Sequence, residues 1–126
     1  MTDCPTPLML ALTTEADEAK AELLASRLLE RRLVACVSLA PIRSLYLWRD
    51  AVQNEHEVQL LLKTTPDQLE PLQRAVMELH SYDTPEWLVW RADASPAYGR
   101  WAQELFNTDG PKPDPEAAPA SEPPAG

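Results

Sequence analysis

Arg43-Ser44-Leu45-Tyr46-Leu47-Trp48, then Arg49-Asp50-Ala51-Val52-Gln53-Asn54, then Glu55 to Thr65, is the stretch that decides the fold. The first piece alternates in the manner of a strand, the polar middle reads as a turn, and Val58, Leu60, Leu61 and Leu62 centre a long returning strand. Just upstream, Leu33-Val34-Ala35-Cys36-Val37-Ser38-Leu39-Ala40 is too apolar for an edge strand exposed on both faces. Pro41 then marks a bend or bulge that joins it to Arg43–Trp48 in one long strand. A long antiparallel hairpin therefore lies at the centre of the chain.

Both flanks repeat a strand and a helix. Leu8 to Thr14 is a short apolar strand, and Thr14 with Asp17 three residues on resembles a capping box, so a helix is expected from there to about Arg32. Ala21, Leu24, Ala25 and Leu28 fall on one face of it. After the hairpin, Thr65-Pro66-Asp67-Gln68 signals a second helix start, with Thr65 as N-cap and Pro66 at the first position. Pro71 lies too deep for a regular first turn, which predicts a distorted or late start. Leu69, Leu72, Val76 and Leu79 form its apolar face, and Thr84 before Pro85 ends it. Trp87 to Trp90 reads as a last strand. Ser95-Pro96 opens a last helix with Tyr98, Trp101 or Ala102, and Leu105 turned inward. The order is that of an α+β, ferredoxin-like (split βαβ) fold, with an antiparallel sheet, both main helices on one face and an extra C-terminal helix. The other face needs a cover. The long hairpin, with Tyr46 and Trp48 exposed, points to a partner subunit.

Composition sets the limits of the domain. From Asn107 to Gly126 there is no Val, Ile, Leu, Met, Cys or aromatic residue, but almost half of the thirteen prolines. The expected organisation is one domain over 5–106 and a disordered Pro/Ala-rich acidic tail over 107–126. The net charge of −9 argues against nucleic acid and against an anionic membrane surface. No run approaches the length of a membrane span, and Cys4 and Cys36 form no zinc-spaced cluster. The chain reads as cytoplasmic with reduced thiols.

Chemically capable side chains concentrate in His80-Ser81-Tyr82-Asp83-Thr84-Pro85-Glu86-Trp87. His80 is the best single metal ligand, and Glu86 is a candidate carboxylate ligand or acceptor of backbone amides. Tyr82 and Trp48 offer flat surfaces for a small ligand or an interface. Glu57 and Lys63, an even number apart on one strand, share a face and are a candidate pair for an anionic ligand. Three glycines cannot build a phosphate-cradling loop, and no nucleophile–base–acid set stands out, so an enzyme is not expected.

Taken in order, these residues resemble the CutA proteins, the family named for divalent-cation tolerance, over about Met9 to Phe106. The resemblance rests on Ala35-Cys36-Val37, Ser44-x-Tyr46-x-Trp48, Glu57 with Leu61-Leu62-Lys63-Thr64-Thr65, His80-x-Tyr82-x-x-Pro85-Glu86, and Tyr98 with Trp101. It implies a ferredoxin-like subunit in a tight homotrimer resembling PII signalling proteins, linked to tolerance of copper and other divalent metals. The chain departs from copper-assigned members at Thr13, where some carry Cys, and at Leu79, where they carry a second His. Asp50 stands where the family often has Gly. Of that ligand set only His80 remains, so any copper is expected to be held weakly. The alternative functions are a sensory trimer binding a small molecule at an intersubunit cleft of Trp48, Glu57, Lys63, Tyr82 and Glu86, or a non-catalytic trimeric scaffold for a protein partner.

Overall fold

The computed structural model describes residues 4–106. The expected tail, 107–126, lies outside the described residues. The elements are β1 (Thr6–Glu15), α1 (Glu18–Glu30), β2 (Cys36–Trp48), β3 (Ala51–Thr64), a 3₁₀ turn (Pro66–Gln68), α2 (Leu69–Leu79), β4 (Leu88–Ala94) and α3 (Pro96–Glu104). The four strands form one antiparallel sheet in the order β2-β3-β1-β4. This is the ferredoxin-like arrangement that the element order predicts.

Ala21, Leu24, Ala25 and Leu28 of α1 and Leu72, Ala75 and Val76 of α2 are buried against Ala11, Val58, Leu60 and Leu62 of the sheet. Leu28, Leu60, Leu62 and Leu72 have no exposure at all. Burying side chains of this size contributes about 1.5–3 kcal/mol each, which makes this layer the main source of stability. A smaller cluster joins Leu8, Ala35 and Ala102 with Tyr98, Trp101 and Leu105, so α3 covers one end of the opposite sheet face. Gly99 belongs to that contact: a Cβ there would run into the Thr6 side chain.

Several boundaries move. The cap of α1 is Asp17, whose carboxylate accepts the Lys20 amide at 2.8 Å. Thr14 stays in β1, paired with Gln59. The helix closes with Arg32 in the left-handed region (φ 56°), where Leu33 N–H donates to the Leu28 carbonyl at 3.0 Å. This 6→1 bond is the Schellman closure, made here without glycine. Leu33–Ala35 therefore belong to the helix exit rather than to a strand.

β2 is an edge strand of the sheet, but one with a covered face, as its apolar start requires. Val37 and Leu39 satisfy their hydrophobicity on one face, by packing against the helix-side core. Pro41 pairs with Val58 in an unbroken register from Cys36↔Lys63 to Trp48↔Ala51, so there is no bulge. An edge tolerates proline because one row of its N–H groups has no ladder partner. The turn is only Arg49-Asp50, both with positive φ (51° and 65°), the geometry of a type I′ hairpin. Ala51–Asn54 look like a loop in sequence but are paired strand; the hairpin end lies beyond the helices, so nothing there demands an apolar face.

The second helix starts late, as Pro71 predicts: a 3₁₀ turn occupies Pro66–Gln68 and α2 begins at Leu69. Thr65 makes no side-chain capping bond.

Candidate functional site

α2 stops at His80, which leaves helical geometry (φ −66°, ψ 146°) while its amide still reaches the Val76 carbonyl at 2.9 Å. The segment from Ser81 to Trp87 has no regular secondary structure. Side chains hold it instead. Glu15, at the last position of β1 and 1% exposed, accepts the Ser81 amide at 3.1 Å and the Ser81 hydroxyl. The His80 ring, fully buried, has Nε2 2.6 Å from the Thr14 carbonyl oxygen. A carbonyl only accepts, so Nε2 carries the proton and donates. Nδ1 is then free to accept the Tyr82 amide at 3.0 Å. That assignment makes the imidazole neutral and leaves the nearby Glu15 carboxylate, 3.5 Å from Nδ1, held by its own donors rather than by an ion pair.

Tyr82 carries the network outward. Its hydroxyl donates to Glu57 Oε2 at 2.8 Å, and its ring lies 4.9 Å from that of His80. Burial first, then the bond to Glu57 and the surrounding carboxylates, pushes the phenol well above its ordinary value, so it stays protonated and donating. Tyr82 and Glu57 form one wall of an open cleft of about 740 Å³, lined also by Thr14, Ser44, Tyr46, Glu55, Thr84 and Glu86. The register places Thr14, Glu57, Glu55 and Ser44 on the sheet face opposite α1 and α2. Partial desolvation and the neighbouring Glu55 carboxylate also raise the Tyr46 phenol.

Of the residues singled out in the sequence, the fold brings Glu57, Tyr82 and Glu86 into this cleft. Trp48 sits at the hairpin tip, 59% exposed, with the Arg49 guanidinium 5.5 Å from its ring centroid. Lys63 shares the face of Glu57 but pairs with Leu10 and Cys36, six residues along β3 or about 20 Å away. Within one chain the Glu57–Lys63 pair therefore does not form, and among the described residues no Lys, Arg or His lines the cleft.

The donor set around His80 does not fit a copper site within one chain. Both ring nitrogens are committed to protein partners, and Thr13 is buried on the helix side of the sheet. No group of three or more His, Cys, Asp or Glu that could hold a metal occurs among the described residues. Glu15, Glu55, Thr14 and Tyr46 escape sequence reading as site residues. Only the strand register, which sequence pattern does not fix for a polar hairpin end, places them there.

Residues 9–105 match the family described as CutA1 divalent ion tolerance protein. The chain belongs to this family. The divalent-cation tolerance protein CutA of Pectobacterium atrosepticum is 44% identical over 82 residues, covering 64% of this chain and 74% of that protein. The solved CutA of Synechococcus elongatus superposes with a TM-score of 0.80 at 39% identity, covering 82% of this chain and 94% of the other. The periplasmic divalent cation tolerance protein CutA of Archaeoglobus fulgidus gives 0.76 at 27% identity, covering 79% and 99%. The CutA resemblance read from the motifs is thus confirmed, and the ferredoxin-like sheet is that of solved CutA proteins. Among the described residues, no helix is long and apolar enough to cross a membrane.

Proposed function

We propose that this CutA chain is a non-catalytic homotrimeric binding protein of divalent-cation tolerance, working in the cytoplasm, with its ligand in the cleft beside Tyr82 where subunits meet. The observation that carries the reading is the bare half of the sheet. Leu10, Leu12 and Leu61 are half-buried there, and Leu88 and Trp90 are 51% and 43% exposed, all on the face that also bears the cleft. A contiguous apolar surface of this kind marks an interface, since in a lone protomer it favours aggregation. Copies of the chain meeting through these faces bury the apolar centre and bring a neighbour's hairpin, with Trp48, toward each cleft. Direct copper binding has a minor place in this reading, because His80 is spent on structure.

Light scattering at micromolar concentration is expected to give three times the chain mass, and Leu61→Glu to give the monomer mass. A monomeric parent chain refutes the assembly. Fractionation of the native cells tests the compartment: recovery with the periplasmic fraction, as the name of the Archaeoglobus relative has it for that protein, refutes the cytoplasmic reading.

A further inference from the structure

Two buried side-chain polar atoms, Thr13 Oγ1 and Trp87 Nε1, have no hydrogen-bond partner among the described residues. The strand register brings them together. β1 and β4 pair antiparallel up to Leu12↔Leu88, so the next step sets Thr13 opposite Trp87, the last residue before β4. Residues directly opposite in such a pair have Cβ atoms about 4.5–5.5 Å apart. Both side chains face the helices. Thr13 follows Ala11 by two positions and is fully buried, and Trp87 packs against the same core. On its other side Thr13 pairs with Leu60, which is fully buried and has no polar side-chain atom to offer.

We propose that Thr13 Oγ1 and Trp87 Nε1 hold one internal water molecule between them, and that this water ties the end of the loop from Ser81 to Trp87 onto β1. Polar groups in a protein interior are paired with few exceptions, and ordered water serves where no protein group reaches. An indole N–H only donates, whereas a hydroxyl both donates and accepts. A water can accept from Trp87 and still donate to Thr13 or accept from it. Charge selects water over an ion. A cation would face the positive end of the indole N–H. An anion would share the helix side of β1 with the Glu15 carboxylate two residues on, itself 1% exposed.

The place of this water in the fold gives it a role. His80 and Ser81 fasten the start of the loop to Thr14 and Glu15. Trp87 fastens its end to Thr13, the preceding residue of the same strand. The loop is then held at both ends by three consecutive residues of β1, and Tyr82 and Glu86 of the cleft lie on the span between. Both atoms are on the helix side of the sheet, so the site is complete within one subunit.

The test is a high-resolution crystal structure of the full chain in its native assembly, with a second crystal grown in bromide. One ordered water is expected at about 2.7–3.2 Å from both atoms, without anomalous signal in bromide. Thr13→Val keeps the shape of the side chain and is expected to lose the water, whereas Thr13→Ser restores a hydroxyl and is expected to keep it. Hydrogen exchange of the backbone over 83–88 is expected to be several-fold faster in Thr13→Val than in Thr13→Ser.

A direct Trp87–Thr13 bond, another protein partner for either atom, or no density peak between them overturns the proposal. Bromide at the site assigns it to an anion and overturns it as well. Equal exchange over 83–88 in two folded variants refutes the tie. If Thr13→Val does not fold, the parent crystals and Thr13→Ser still decide whether water is held.

Discussion

His80→Ala separates a structural role from metal ligation, and the structure fixes what it costs. The substitution removes the donor to the Thr14 carbonyl at 2.6 Å and the acceptor of the Tyr82 amide at 3.0 Å. Each bond contributes about 1 kcal/mol net, but a buried group left unpaired costs about 1–3 kcal/mol. Thr14 is buried, so its carbonyl bears most of that penalty, whereas Tyr82 is half-buried and water repairs part of its loss. The vacated ring space adds a cavity term. The expected total is about 3–5 kcal/mol, which at about 4–8 °C per kcal/mol for a domain of this size lowers Tm by well over 10 °C. Differential scanning calorimetry at fixed chain concentration measures it, since assembly makes Tm concentration-dependent. Cu(II) titrations of both proteins, below either melting range, are expected to superimpose. A variant that melts within a few degrees of the parent but loses Cu(II) binding refutes the assignment of both nitrogens to structure.

Three further outcomes follow from local geometry. Below about pH 10, the ordinary phenol value, Tyr82 is protonated whether folded or unfolded. Above it the unfolded chain gives up the proton first, so the native state binds more protons and stability falls as pH rises through the raised folded value. Urea midpoints between pH 9 and pH 11.5 are expected to decline, less steeply in Tyr82→Phe, with Tyr98 (also raised by burial) keeping a remainder of the slope. Asp50→Gly relieves a left-handed residue at the second turn position (φ 65°) and is expected to stabilise the chain by about 0.5–1 kcal/mol by urea unfolding. Gly99→Ala drives a methyl into Thr6 and is expected to cost about 1–3 kcal/mol, read as a lowered thermal midpoint; an unchanged midpoint denies the tight α3–β1 contact.

The sequence was most legible where burial forces a period. The buried face of α1 is the predicted set Ala21, Leu24, Ala25 and Leu28, because a helix has no other way to hide those four side chains. It was least legible where solvent leaves the pattern free. Ala51–Asn54 are strand only because Arg49-Asp50 turns the chain in two residues, a geometry more often announced by Asn-Gly. Edge position was hidden too: Val37 and Leu39 pack on one face only, so an apolar run does not reveal which strand neighbours it. At the site, the motif names Tyr82 and Glu86 directly. Glu15 belongs to β1, 66 residues before the Ser81 that it anchors, and no local signal could announce that pairing.

The buried Glu15 carboxylate explains how an irregular loop can carry a defined site. Taking a carboxylate out of water is expensive, and the protein compensates with donors rather than a Lys or Arg: the Ser81 amide, the Ser81 hydroxyl and the Ala16 amide at 3.3 Å. These bonds exist only when Ser81 lies against the end of β1. His80, one residue earlier, adds a second tie to the same strand through Thr14, and its other nitrogen receives the backbone of Tyr82. Two consecutive residues, His80 and Ser81, are thus pinned to β1, and the Tyr82 backbone is tied to the first of them, before the Tyr82 hydroxyl reaches Glu57 on β3. The phenol is placed by the buried polar cluster, not by the cleft it faces. A cleft wall fixed from behind needs little reorganisation when a ligand arrives, so binding energy is not spent on ordering the loop. The conspicuous histidine of the motif therefore serves the site from outside it.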